Sequence, residues 1–147
     1  MLNFIRKQFH VEMLYEGNNS FGKSYYLGSS KEDLVKLDLF YTDTFIFPSL
    51  EVSCVRLASI EEIAAMKMEV IGNNGRKKDF WDIHELLETI SLEEMFSFHA
   101  MRYPYSHTKE DLQRKLIDFS YADYDFDPIC LKGKYWELIK LDIEEQL

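Results

Sequence analysis

Ser59-Ile60-Glu61-Glu62-Ile63-Ala64-Ala65-Met66-Lys67-Met68-Glu69-Val70-Ile71 is the stretch on which the fold turns. Ser59 followed three residues on by Glu62 fits a capping box, which opens a helix by satisfying its first free N–H groups. Ile60, Ile63, Ala64, Lys67, Val70 and Ile71 then recur at the spacing of one helical face. Gly72-Asn73-Asn74-Gly75 ends the helix. Upstream of Ser59 the pattern is that of strands, and downstream it is that of helices.

The strand half reads outward from Leu34–Tyr41, Leu-Val-Lys-Leu-Asp-Leu-Phe-Tyr. Alternation puts Leu34, Lys36, Asp38 and Phe40 on one face and Val35, Leu37, Leu39 and Tyr41 on the other. Phe9–Glu16 and Phe21–Leu27 are further strands, separated by the turn cluster Gly17-Asn18-Asn19-Ser20. One more strand is expected within Phe45–Leu57, interrupted at Pro48. In the second half, a helix is expected over about Lys77–Thr89, with Phe80, Ile83, His84 and Leu87 on one stripe. Ser91 with Glu94 caps a short third helix. Thr108 opens a fourth, with Leu112, Leu116 and Phe119 inward, and a last helix covers about Lys134–Glu145, with Trp136, Ile139 and Ile143 aligned. The expected class is α+β: a small mixed or antiparallel sheet, then a helical half. The whole of 1–147 reads as a single domain, with 1–57 β-rich and 58–147 helical.

Composition sets the outer bounds. The 147 residues carry 17 Lys and Arg against 26 Asp and Glu, a formal net charge of −9. Hydrophobic residues make up 46% and aromatics 15%, enough for a core and too much for a disordered chain. Duplex DNA is excluded as the main partner, because such affinity comes from many cations on phosphates. There is no apolar run long enough to span a membrane. The basic N-terminus, Met1 to His10, has no apolar signal core. The expected location is cytoplasmic, and Cys54 and Cys130, far apart and outside any CxxC, read as buried apolar thiols.

Three features can hold chemistry. Asp38 is a carboxylate within an apolar strand: either an exposed-face acid beside Lys36 or a metal ligand held rigidly. Lys67 falls on the apolar stripe of its helix: either it snorkels at the core edge, or it is a fixed cation for phosphates or an acid. Gly75-Arg76-Lys77-Lys78-Asp79-Phe80-Trp81-Asp82 sets three cations at a helix N-terminus. That is ordinary helix electrostatics or an anion site. The four histidines make no metal motif, and His84 reads as a satisfied core residue. Tyr121–Asp127, acidic at alternate positions, reads as a docking loop or a solvated face.

Taken together, Val55–Ile71 and Arg76–Leu87 resemble the AbiEii/AbiGii-type nucleotidyltransferase toxins of the DNA polymerase beta-like nucleotidyltransferase superfamily. Val35-Lys36-Leu37-Asp38-Leu39 resembles the family strand that bears the third acid, and Tyr121–Pro128 with the Trp136 helix resembles its C-terminal segment. The resemblance implies Asp38 as a metal acid, Lys67 as the helix lysine, and Lys78, Asp79 and Asp82 as the K-D-x-x-D group. It implies Arg76 and Lys77 near phosphates, Mg2+ and a nucleoside triphosphate as cofactors, an antitoxin as partner and RNA or protein as acceptor. The family's Gly-Ser and Asp-x-Asp pattern is not matched, since Gly28-Ser29 is followed only by Asp33. The chain is therefore expected to be a truncated member, weakly active or inactive alone. The alternative is a non-catalytic interaction module. Exposed strand edges in such a chain make a homo-oligomer a further expectation.

Overall fold

The computed structural model describes residues 7–15 and 22–147. The expected turn at Gly17–Ser20 lies outside them. The chain divides into two compact units, Met1–Thr44 and Phe45–Leu147.

The first unit is an antiparallel sheet of β1 (His10–Tyr15), β2 (Gly22–Gly28) and β3 (Leu34–Phe40), in the order β1-β2-β3. Its register runs from Gly22 opposite Phe40 to Gly28 opposite Leu34. Tyr25, opposite Leu37, is buried, while Val35, Leu39 and Phe40 are exposed.

The second unit begins with a short hairpin, β4 (Leu50–Val52) and β5 (Val55–Leu57). Here the single strand expected within Phe45–Leu57 folds back on itself after Pro48. Val52 pairs with Val55 across a two-residue turn in which Ser53 has φ 57. That turn leaves Cys54 exposed, and Cys130 is only half-buried, so neither is the buried thiol expected from the sequence.

Five helices follow among the described residues: α1 (Ile60–Gly72), α2 (Lys77–Leu86), α3 (Leu92–Arg102), α4 (Lys109–Leu116) and α5 (Trp136–Glu144). The caps decide their starts. Ser59, Ser91 and Thr108 each accept an N–H from the residue three positions on. At Ser91 and Thr108 the box is reciprocal, because Glu94 and Asp111 return to the cap N–H. At Ser59 it is not. Glu62 is fully buried, and its carboxylate accepts the N–H groups of Ile46 and Phe47 at 3.0 and 3.1 Å and pairs with Arg102.

The same side chain helps explain why the buried face of α1 is turned from the expected stripe. Ala64, Ala65, Met68 and Ile71 are buried, whereas Ile60, Ile63 and Val70 are each about two-fifths exposed. Small alanines allow close helix packing, and Gly72 lies under the His107 ring, where an added Cβ would come within 2.3 Å of a ring carbon. Phe80, Leu112, Leu116, Ile139 and Ile143 are in the core, as the apolar periodicities of α2, α4 and α5 predict, and Met95 of α3 joins them. Trp136 meets Phe80 and Phe119 edge-on and stacks on Trp81 at 5.5 Å. Each such pair adds about 0.5–1.5 kcal/mol beyond burial. α2 stops at Leu86, short of the expected Thr89.

Candidate active site on helices α1 and α2

The sequence that opens α2 folds its own acid back onto its cap. Asp79 Oδ2 accepts the backbone N–H of Arg76 at 3.0 Å, which fixes the first turn. Its other oxygen accepts from Lys67 Nζ of α1 at 2.8 Å. Lys67 also reaches Asp82 Oδ2, one turn along α2, at 2.5 Å. Asp79 is almost wholly buried, Lys67 partly, and Asp82 is half-exposed. Lys67 thus resolves as a fixed cation paired with acids. Burial is the largest single influence on it and pulls its pKa down, but the hydrogen bonds and charges of Asp79 and Asp82 together outweigh that and raise it. Beside this group lies a cleft of about 380 Å3 that includes Ile63, Lys67, Asp82, Glu85 and Glu88 in its wall.

The expected anion-binding cations are engaged elsewhere. Arg76 makes a two-point contact with Asp125, at 3.1 and 3.2 Å. Lys77 is buried, 2.8 Å from Asp127 and 5.4 Å from the centre of the Trp136 ring. Asp123 accepts from Trp136 Nε1 at 2.6 Å and from Lys140 at 3.3 Å. Tyr121–Asp127 is therefore more than a solvated face: its three aspartates supply the partners of Arg76, Lys77 and Lys140 and of the Trp136 indole. The hydrogen bond from Arg76 holds the Asp125 carboxyl below its usual range, and the one from Trp136 does the same for Asp123. Arg76 and Asp125 also line a cleft of about 600 Å3, with Asn74, Ser120, Tyr121 and Tyr124. Lys78, exposed on the first turn of α2, makes no ion pair among the described residues.

Asp38 belongs to the sheet unit. Its carboxylate takes a hydrogen bond from Ser24 Oγ at 2.6 Å and pairs with Lys36 at 3.0 Å. The structure thus brings together Lys67, Asp79 and Asp82, and adds Arg76 through its backbone. Among the described residues, no three His, Cys, Asp or Glu side chains form a group that could hold a metal ion. Of the described residues, Asp38 offers a single carboxylate already shared with Ser24 and Lys36, which by itself does not fit a divalent cation.

Sequence reasoning missed two polar clusters, the first buried and the second only partly so. One is Glu62 with Arg102. The other joins Glu69 to His99 at 2.8 Å, to Ser106 at 2.9 Å and to Asn73 at 3.1 Å. The signal for Glu62 was present but was absorbed by the capping-box reading, and His99 has no local pattern to mark it. His84 is the satisfied core residue expected, 2.6 Å from Asp142 and 3.1 Å from Lys134.

No helix among the described residues is long and apolar enough to cross a membrane. No curated protein and no solved structure matches the chain. The family described as nucleotidyl transferase AbiEii toxin, type IV toxin–antitoxin system, matches residues 13–141. That span takes in Asp38, Lys67, the start of α2 and the Asp123–Asp127 segment, and the chain belongs to this AbiEii family.

Proposed function

We propose that the chain is a cytoplasmic toxin-type nucleotidyltransferase in which the Lys67, Asp79 and Asp82 group orients a nucleoside triphosphate, and that it is weakly active or inactive alone. The observation that carries the reading is the lysine of α1 held between two acids of α2. Such a lysine is fixed in place without losing its charge. It can give a triphosphate oxygen a point contact while Asp79 keeps the N-terminus of α2 ordered. Lys78, exposed one residue before Asp79, is the second cation available to phosphates. Arg76 and Lys77 reach an anion only by exchanging Asp125 and Asp127 for it. The reaction class is transfer of a nucleotidyl group to an RNA or protein acceptor, with Mg2+ as the family's metal and an antitoxin as partner. Asp38 is the one acid assigned to that ion. A single carboxylate shared with Ser24 and Lys36 holds a divalent ion poorly. Weak or absent turnover is the outcome this reading expects, because among the described residues that carboxylate belongs to no group of three side chains that could hold a metal ion.

The test incubates the full chain with each radiolabelled triphosphate, Mg2+ and RNA or protein, beside Asp38→Ala and Lys67→Ala. The expected result is little or no transfer, with triphosphate binding that weakens about tenfold in Lys67→Ala, the equivalent of about 1.4 kcal/mol. Strong transfer abolished by Asp38→Ala overturns the inactivity. Loss of all nucleotide binding by the unaltered chain overturns the nucleotide reading.

A second reading, a non-catalytic interaction module, rests on the segment after α4. Its aspartates turn toward cations, while Tyr124, Phe126, Ile129 and Leu131 are each more than nine-tenths exposed. Exposed aromatic and aliphatic side chains in series are the usual material of a protein interface. Under this reading Tyr124→Ala with Phe126→Ala weakens binding of the antitoxin and leaves nucleotide binding unchanged.

A further inference from the structure

β3 is an edge strand: among the described residues β2 is its only partner in the sheet. Natural edges are usually shielded by proline, a bulge, short length or a row of charges. β3 has seven residues and no proline, and its register with β2 is unbroken. It shows Val35 at 69%, Leu39 at 39% and Phe40 at 66% exposure. Its two charges, Lys36 and Asp38, are placed symmetrically about Leu37.

We infer that β3 is a self-pairing edge, and that its occupant is β3 of a second copy, antiparallel, with Leu37 on the two-fold axis. Opposite residues then have numbers that sum to 74. Lys36 faces Asp38 of the second copy and Asp38 faces its Lys36. On the same side of the sheet Leu34 meets Phe40, and on the other side Val35 meets Leu39 and Leu37 meets Leu37. Neighbouring registers do worse. Two strands with the same pleat pair in steps of two in that sum, so the nearest alternatives centre on Lys36 or Asp38. Each sets two like charges directly opposite one another, which is unfavourable. Charge complementarity thus selects one register, and that register also pairs every apolar residue of β3 with an apolar residue. An interface of this kind is isologous and closes as a dimer with a continuous six-stranded sheet. The inference rests on the sheet unit alone and is independent of the nucleotide reading.

The experiment is the mass of the full chain by light scattering across a concentration series, with far-UV circular dichroism for folding. The unaltered chain is expected to approach twice 17.5 kDa as concentration rises. Lys36→Asp leaves two acids facing two acids, and Asp38→Lys leaves two lysines facing two lysines. Each is expected to be monomeric. An equimolar mixture of the two restores opposite charges across the axis and is expected to recover the dimer, as is the double swap Lys36→Asp with Asp38→Lys. A monomeric unaltered chain overturns the inference. So does a dimer that survives both single swaps, or a folded double swap that stays monomeric. Where a single variant fails to fold, the double swap decides: a dimer upholds the pairing and a monomer overturns it.

Discussion

The two units stand on different footings. Phe45–Leu147 carries its own core, with Phe80, Met68, Ile83, Met95 and Ile139 excluded from solvent, and it caps three of its helices with side chains. In Met1–Thr44, Tyr25 is the buried hydrophobic residue among those described, and β3 shows its apolar side chains to water. A helical bundle satisfies its hydrogen bonds locally and needs only packing. A three-stranded sheet satisfies them only inward and leaves an edge. Among the described residues the sheet unit thus has little buried apolar surface and an open edge, while the helical unit holds the larger buried core.

The largest way to break this contrast is to attack the buried ion pair of the helical unit. Glu62→Ala leaves Arg102 charged, with only 3% of its side chain exposed, and frees two backbone N–H groups of Ile46 and Phe47. The loss is expected to be about 3–5 kcal/mol, measured by urea unfolding. A loss below about 1 kcal/mol means that the pair does not fasten the Phe45 segment to α1.

Core truncation sharpens the contrast between the units directly. Phe80→Ala removes a ring packed against Phe119 and Trp136 and is expected to destabilise by about 3–5 kcal/mol. Val35→Ala, on the exposed edge, is expected to stay within about 0.5 kcal/mol for the monomer. Similar losses at both positions would mean that the sheet unit has a core of its own. A smaller effect is expected at the candidate site. Lys67→Met leaves Asp79 buried with only the Arg76 N–H, at a cost of about 1–3 kcal/mol.

How much of this was legible differs by unit for the same physical reason. In the helical unit, local signals and tertiary outcome agree: Ser91 and Thr108 cap where the sequence says, and Leu112, Leu116 and Ile143 face inward. The rotation of α1 was not legible. It depends on where Glu62 finds Arg102, forty residues away, and a local pattern assigned Glu62 to the cap. Alternation gave β3 and its two faces, with Lys36 and Asp38 on one of them. The site was half legible. The resemblance implied Lys67 as the helix lysine and Lys78, Asp79 and Asp82 as one group; the structure joins Lys67 to the two acids and leaves Lys78 exposed, and the partners of Arg76 and Lys77 come from about fifty residues downstream, in a segment with no regular periodicity.

The smallest expected effect concerns pH and again separates the units. Burial pushes the pKa of Glu69 up, but hydrogen bonds from His99, Ser106 and Asn73, with the charge of His107, pull it below the usual glutamate value. A carboxyl whose folded pKa is depressed contributes stability that is fully present above the unfolded value, about 4.3. That contribution is lost as pH falls through the folded value. The helical unit is therefore expected to lose stability in acid partly through this group. Glu69→Gln should lower stability by about 1 kcal/mol at neutral pH. It should change little at low pH, where the native glutamate is already protonated, so the two curves converge as pH falls. Among the described residues the hydrogen-bond partners of the Glu69 carboxylate are Asn73, His99 and Ser106, all of the helical unit. Curves that stay parallel below pH 4 would show that the Glu69 cluster holds its geometry without the charge.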